Sequence, residues 1–149
     1  MPHKPNHPVA RRAPKNGLDD FPTPPWATRA LFEYVVPEFL RESDYIFLEP
    51  ACGRGHMART LKEYVQLVKA SDVKDYKRGF AVKDYLNGSF GAYDVLCTNP
   101  PYKAANEFVE RGLSEARRGV CILARTLWIE GGKEVPTSRW HRILQHSPP

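Results

Sequence analysis

Residues 45–58 have the sequence YIFLEPACGRGHMA, and this stretch decides the fold. Residues 45–48 form a short apolar run typical of a buried strand, and the Gly-Arg-Gly that follows allows a tight turn. After the turn, Met57, Leu61 and Tyr64 recur at helical spacing, which predicts an amphipathic helix. A strand, a glycine turn and a helix in this order predict an α/β fold with a mostly parallel sheet.

The rest of the chain continues this alternation. Short apolar runs predict strands over residues 66–71, 79–82, 93–96 and 119–124, and a helix is predicted over residues 103–116. Short buried strands that alternate with helices favour a sheet covered by helices on both faces.

A further helix is predicted before the first strand, over residues 24–36. Thr23 can cap it, and a proline pair suits its first turn, where backbone N–H groups have no partner inside the helix. Apolar residues then follow at helical spacing: Trp26, Ala30, Leu31, Tyr34 and Val35.

Composition limits the class of protein. The chain has 149 residues, of which 42% are apolar, so residues 18–149 are expected to form one globular domain. Residues 1–17 are rich in Pro, Lys, Arg and His and are expected to be a flexible basic tail. A formal net charge of +5 is compatible with a polyanionic partner but does not require one.

Other features suggest a soluble, cytoplasmic protein. No apolar run approaches the roughly 20 residues of a membrane helix, so no membrane partner is expected. The three cysteines are odd in number and far apart, which favours a reducing compartment without a disulfide. The five histidines include no pair with the spacing of metal ligands, so no metal site is expected.

Acidic residues follow two of the predicted strands, where ligands bind in an open parallel sheet. Asp72 could accept hydrogen bonds from two ribose hydroxyls, and its position after the second strand favours this role over that of a solvated surface carboxylate. Asp84, beside Tyr85, could accept a hydrogen bond from an adenine amino group or could only shape its loop. The pattern Gly53-x-Gly55-x-x-Ala58 also satisfies the dinucleotide fingerprint, so by itself it leaves a nicotinamide cofactor open.

The stretch CTNPPYK, residues 97–103, follows the fourth strand. Two prolines end strand pairing and stiffen the backbone where the chain leaves the sheet. On its own this stretch could be a plain loop.

Four segments together resemble a known family. Residues 21–24 (FPTP), residues 49–55 (EPACGRG), Asp72 and residues 99–102 (NPPY) occur in the order found in class I S-adenosylmethionine-dependent methyltransferases. The chain is most similar to the enzymes that methylate the adenine amino group in DNA. The resemblance implies a Rossmann-like, doubly wound sheet with the strand order 3-2-1-4-5.

The resemblance also assigns residues to the site. It implies that S-adenosylmethionine is bound by Phe21, Thr23, Pro24, Glu49, Ala51, Cys52, Gly53, Gly55, Asp72, Val73, Asp84, Tyr85 and Asn99. The implied catalytic residues are Asn99, Pro100, Pro101 and Tyr102. DNA is the implied partner.

The physical chemistry of these residues suits an exocyclic amine, whose lone pair is delocalised into its ring. The Asn99 side-chain oxygen can accept one N–H and the Pro100 carbonyl the other, which directs the nitrogen lone pair at the methyl group. Tyr102 offers a face on which a flipped base can stack.

Three alternatives stay open. The same tetrapeptide occurs in methyltransferases that act on guanine amines in RNA or on a protein glutamine amide. A relative that only binds nucleic acid, through Arg11, Arg12, Lys15 and Arg54, is another possibility.

The resemblance also implies two strands after the fifth, whereas only a short helix over residues 138–145 is predicted there, so the chain is expected to be truncated at its C-terminus.

Overall fold

The computed structural model describes residues 21–124. Five strands form one parallel sheet with the order β3-β2-β1-β4-β5, as predicted. Their bounds are β1 Ile46–Glu49, β2 Leu67–Asp72, β3 Ala81–Val82, β4 Val95–Thr98 and β5 Gly119–Ile122. The predicted tail over residues 1–17 and the helix predicted over residues 138–145 lie outside the described residues.

Within residues 21–124, three α-helices accompany the sheet: α1 Pro25–Tyr34, α2 His56–Leu61 and α3 Ala105–Glu115. Two short 3₁₀ turns, Glu38–Arg41 and Tyr102–Ala104, precede β1 and α3. The helices differ from the predicted ranges by a few residues at their ends. Between residues 21 and 124, no helix has the length and apolar character needed to cross a membrane.

Successive residues of a strand point to opposite sides of the sheet. The helices pack on both sides. On one face, Phe32 of α1 and Leu61 of α2 pack with Phe47 of β1. On the other face, Phe108 of α3 packs with Leu48 of β1. The expected two-sided α/β arrangement is therefore confirmed.

The buried face of α1 only partly matches the predicted one, because, of the predicted apolar residues, Leu31 is the one that packs against the core. Ala27, Thr28 and Phe32 are buried, whereas Trp26 is 70% exposed and Tyr34 is 83% exposed. Both sets have helical spacing, so periodicity alone could not choose between them, and packing against Phe47 favours the set with Phe32. The predicted cap is also wrong: Pro24 is the N-cap residue, and no side chain caps the helix.

The connection from β2 to β3 contains no helix. The two residues of β3 pair with Ser71 and Asp72, the last residues of β2. Residues 73–80 therefore stay at the carboxyl edge of the sheet instead of crossing back to its amino edge. This placement brings the Phe80 ring against Gly55, in the loop of residues 50–55 between β1 and α2, which we call the glycine loop.

Candidate active site

A cavity of about 260 Å³ lies at the carboxyl edge of the sheet. It is lined by the four segments that sequence analysis singled out, together with the loop after β3. Their convergence follows from the topology, because parallel strands end at the same edge and β1 lies between β2 and β4.

Most of the predicted site residues line this cavity: Phe21, Thr23, Glu49, Ala51, Cys52, Gly53, Asp72, Val73, Asp84, Tyr85, Asn99 and Pro101. Four others do not. Pro24 caps α1, Gly55 lies against Phe80, Pro100 is buried, and Tyr102 is 57% exposed.

Asn99 is held in one orientation by Thr23. The Asn99 side-chain nitrogen donates a hydrogen bond of 3.0 Å to the Thr23 hydroxyl oxygen, and Thr23 is buried. The amide oxygen is the acceptor that Asn99 can offer to an incoming N–H group, and the bond from its nitrogen orients that oxygen. The contact joins two segments that are 76 residues apart in sequence.

Glu49 is a buried carboxyl group at the cavity wall, with 1% of its surface exposed. It accepts hydrogen bonds from the Thr98 hydroxyl and from the Ala51 backbone N–H. Burial raises the pKa of Glu49 to about 8, although both hydrogen bonds oppose the rise. At neutral pH Glu49 therefore holds its proton in most molecules.

Asp72 connects the end of β2 to the glycine loop. One carboxylate oxygen accepts a hydrogen bond of 2.8 Å from the Gly53 N–H, and the other accepts one of 2.9 Å from the Lys74 N–H. Each oxygen has a second lone pair, and Asp72 lines the cavity. The side chain can therefore hold the loop and still accept a hydrogen bond from a ligand.

Other backbone N–H groups of the glycine loop are also bonded within the protein. The Ala51 N–H donates to Glu49, the Cys52 N–H to the Ser71 carbonyl, and the Gly55 N–H to the Cys52 carbonyl. With Gly53 donating to Asp72, this loop is closed by internal hydrogen bonds before any ligand binds.

Asp84 shapes the loop after β3. Its carboxylate accepts hydrogen bonds from the Leu86 N–H and from the Asn87 side chain, and these bonds lower the pKa of Asp84. Tyr85 is buried, and its hydroxyl lies 3.0 Å from that of Tyr93. Arg111 of α3 donates to the Tyr85 and Gly88 carbonyls and so fixes this loop at the cavity.

Several cavity residues were not predicted as site residues: Arg54, His56, Met57, Tyr76, Leu86, Ala104 and Phe108. Met57 and Phe108 lie at the apolar positions of their helices, so the sequence indicated only that they belong to the core. Both also line the cavity. Tyr76 reaches the cavity only because residues 73–80 remain at the carboxyl edge, which no sequence pattern indicated.

Gly55→Ala should destabilise the protein by about 2 to 3 kcal/mol. Gly55 has φ of +84°, where an alanine is strained, and a Cβ atom there would overlap the Phe80 ring. Gly53→Ala is the matched control, because φ is +52° but no atom lies within 4 Å of the added Cβ. Urea unfolding of both variants measures the difference, and equal losses would contradict a role for Phe80.

No protein-family model matches the chain, and no curated protein matches it.

Proposed function

We propose that this protein transfers a methyl group from S-adenosylmethionine to an exocyclic amine, with adenine N6 in DNA as the preferred acceptor. The observation that carries the proposal is the convergence of Thr23, the glycine loop, Asp72 and Asn99 on one cavity. Of these, Thr23 and Asn99 are in direct contact.

The hydrogen bonding of the glycine loop leaves little room for a phosphate within the loop itself. A pyrophosphate needs backbone N–H groups that are available to it at the loop and the following helix. Here the N–H groups of Ala51, Cys52, Gly53 and Gly55 are bonded within the protein. This favours a cofactor that places no phosphate in the loop, as is true of S-adenosylmethionine.

The acidic groups of the cavity wall favour a cationic ligand. The side chains of Asp72 and Asp84 line the cavity beside Glu49, which is mostly protonated at neutral pH. S-adenosylmethionine carries a sulfonium and an ammonium group, and both are attracted by such a wall.

The arrangement at Asn99 supports an amine acceptor. The sulfonium cofactor is already activated, so the protein must mainly align the nucleophile for in-line displacement. An amide oxygen oriented by Thr23 can accept an N–H of the amine and direct the nitrogen lone pair at the methyl group. The cofactor would supply the methyl group: nitrogen would bond to the methyl carbon while the carbon–sulfur bond breaks with its electron pair left on sulfur, and the amine proton would pass to water.

Asp72→Ala should weaken S-adenosylmethionine binding by about 1 to 3 kcal/mol, because hydrogen bonds to a charged acceptor are lost. Asp72→Asn is the matched control: it keeps one oxygen acceptor and should lose less. Isothermal titration calorimetry with S-adenosylmethionine and its demethylated product measures both. Unchanged affinity in Asp72→Ala would remove Asp72 from the cofactor site.

The function itself is tested by incubating the protein with methyl-labelled S-adenosylmethionine and separate DNA, RNA and protein acceptors. Label in the adenine amino group of DNA is the expected result. Transfer to RNA guanine or to a glutamine amide would reassign the acceptor. Folded protein that binds nucleic acid but transfers no label would favour the binding-only alternative.

A further inference from the structure

Arg111 of α3 attaches the loop after β3 to the rest of the protein. Two of its guanidinium nitrogens donate hydrogen bonds to the backbone carbonyls of Tyr85 and Gly88, the latter at 2.8 Å. The third, Nε, donates to Glu115 one turn further along α3, at 2.9 Å. All three nitrogens of this guanidinium therefore have acceptors within the protein. We call residues 84–88 the wall loop, because its first three residues line the cavity.

The wall loop also has hydrogen bonds of its own. The Asp84 carboxylate accepts bonds from the Leu86 N–H and from the Asn87 side chain, and the Gly88 N–H donates to the Asp84 carbonyl at 2.7 Å. These bonds determine the shape of the loop, since they join residues within it. Its position at the cavity depends instead on bonds to another element, and those from Arg111 tie it to a helix that packs on the sheet.

The side chain of Tyr85 is linked to the same helix. The Arg111 guanidinium carbon lies 4.8 Å from the centre of the Tyr85 ring, a cation–π contact. The Tyr85 hydroxyl lies 3.0 Å from that of Tyr93, and the Tyr93 hydroxyl donates to Glu115, the carboxylate paired with Arg111. The backbone and the ring of Tyr85 are therefore both held by α3.

The wall loop presents a hydrogen-bond acceptor at the cavity. Each Asp84 carboxylate oxygen accepts one bond from within the loop and keeps a second lone pair. A ligand amino group can donate to that lone pair, whereas a ligand carbonyl oxygen would face a negative charge. Because a hydrogen bond weakens steeply once its distance or angle is wrong, the position of the wall loop decides how well the two groups are distinguished.

We propose that Arg111 is a positioning residue that makes the cavity selective for adenine over hypoxanthine, in which a carbonyl oxygen replaces the amino group. The inference deepens the proposed function and rests on it for the adenosine group of the ligand. Arg111 is not among the described residues that line the cavity, so it acts through the wall loop and the carboxylate of Asp84.

The test compares two arginine variants. Arg111→Met removes the guanidinium and keeps an unbranched side chain that can still cover the Tyr85 ring. Arg29→Met is the matched control, because Arg29 donates two hydrogen bonds of 2.8 Å to Glu63 and joins α1 to the residues after α2. Isothermal titration calorimetry measures the affinity of each protein for S-adenosylhomocysteine and for its hypoxanthine analogue, S-inosylhomocysteine.

Wild type and Arg29→Met should both bind S-adenosylhomocysteine at least about tenfold more tightly than the analogue, the factor that one hydrogen bond to a charged group provides. In Arg111→Met this ratio should fall to about twofold or less. A general loss of stability would weaken both ligands alike and leave the ratio unchanged, so the ratio reports on positioning. Arg111→Lys keeps the charge but lacks the planar fork that reaches two carbonyls, and it should lose selectivity as well.

Two results would overturn the inference and leave the methyltransferase proposal intact: an unchanged ratio in whichever of Arg111→Met and Arg111→Lys folds, or no preference for adenine in the wild type. Selectivity that depends on Arg111, in a protein that transfers no methyl group to any acceptor, would remove the proposed reaction and support the role of Arg111. Folded wild-type protein that binds neither compound would overturn both.

Discussion

Asn99→Ala should lower the rate of methyl transfer by about 10²- to 10³-fold while S-adenosylmethionine affinity changes little. This is the loss found when one preorganised contact to the transition state is removed. The alanine takes away the amide oxygen that would accept the amine N–H. Single-turnover transfer to the acceptor of the wild-type protein measures the rate, and calorimetry measures cofactor affinity.

Thr23 provides a matched pair of variants for the same contact. Thr23→Val removes the oxygen that accepts the Asn99 amide N–H, so Asn99 loses its fixed orientation and the rate should fall. Thr23→Ser keeps that oxygen and should retain most of the rate.

If Asn99→Ala transfers methyl groups as fast as wild type, the role assigned to Asn99 is wrong.

Glu49→Gln should flatten the dependence of stability on pH. The folded protein holds the Glu49 proton up to a pKa of about 8, whereas an unfolded chain releases it near the ordinary value of about 4.3. Between these values the folded state binds more protons, so the free energy of unfolding falls as pH rises. From pH 5 to pH 8 the wild type should lose on the order of 3 to 5 kcal/mol through this group.

Urea unfolding across this pH range measures the effect. The substituted amide would be neutral throughout, so the variant should lack that part of the slope and should be the more stable protein at pH 8. Glu42→Gln, at an exposed position, controls for the loss of a glutamate elsewhere. Parallel pH profiles for wild type and Glu49→Gln would show that Glu49 ionises normally in the folded protein.

The order of elements could be predicted from sequence because each has a strong local signal. The apolar run before Glu49 and the glycines after it determine the first strand and turn, and the proline pair after Asn99 marks the end of β4. Parallel strands then bring their carboxyl ends together, which places most of the predicted residues on one cavity.

Features that depend on tertiary contacts could not be predicted. Trp26 and Phe32 both fit the helical period of α1, and only packing against Phe47 selects Phe32. The two-residue β3 and the position of Tyr76 depend on how residues 73–80 pack against the glycine loop. The hydrogen bond between Asn99 and Thr23 joins segments 76 residues apart, a distance at which local patterns carry no information.

The internally bonded glycine loop also bears on the kinetics of ligand capture. The N–H groups of the glycine loop already donate hydrogen bonds within the protein, from Ala51, Cys52, Gly53 and Gly55. The loop backbone is therefore preorganised for a ligand. The entropy of ordering this segment is lost during folding rather than at each binding event. The cofactor's association rate then depends on diffusion and entry into the cavity, and its residence time on the contacts made there.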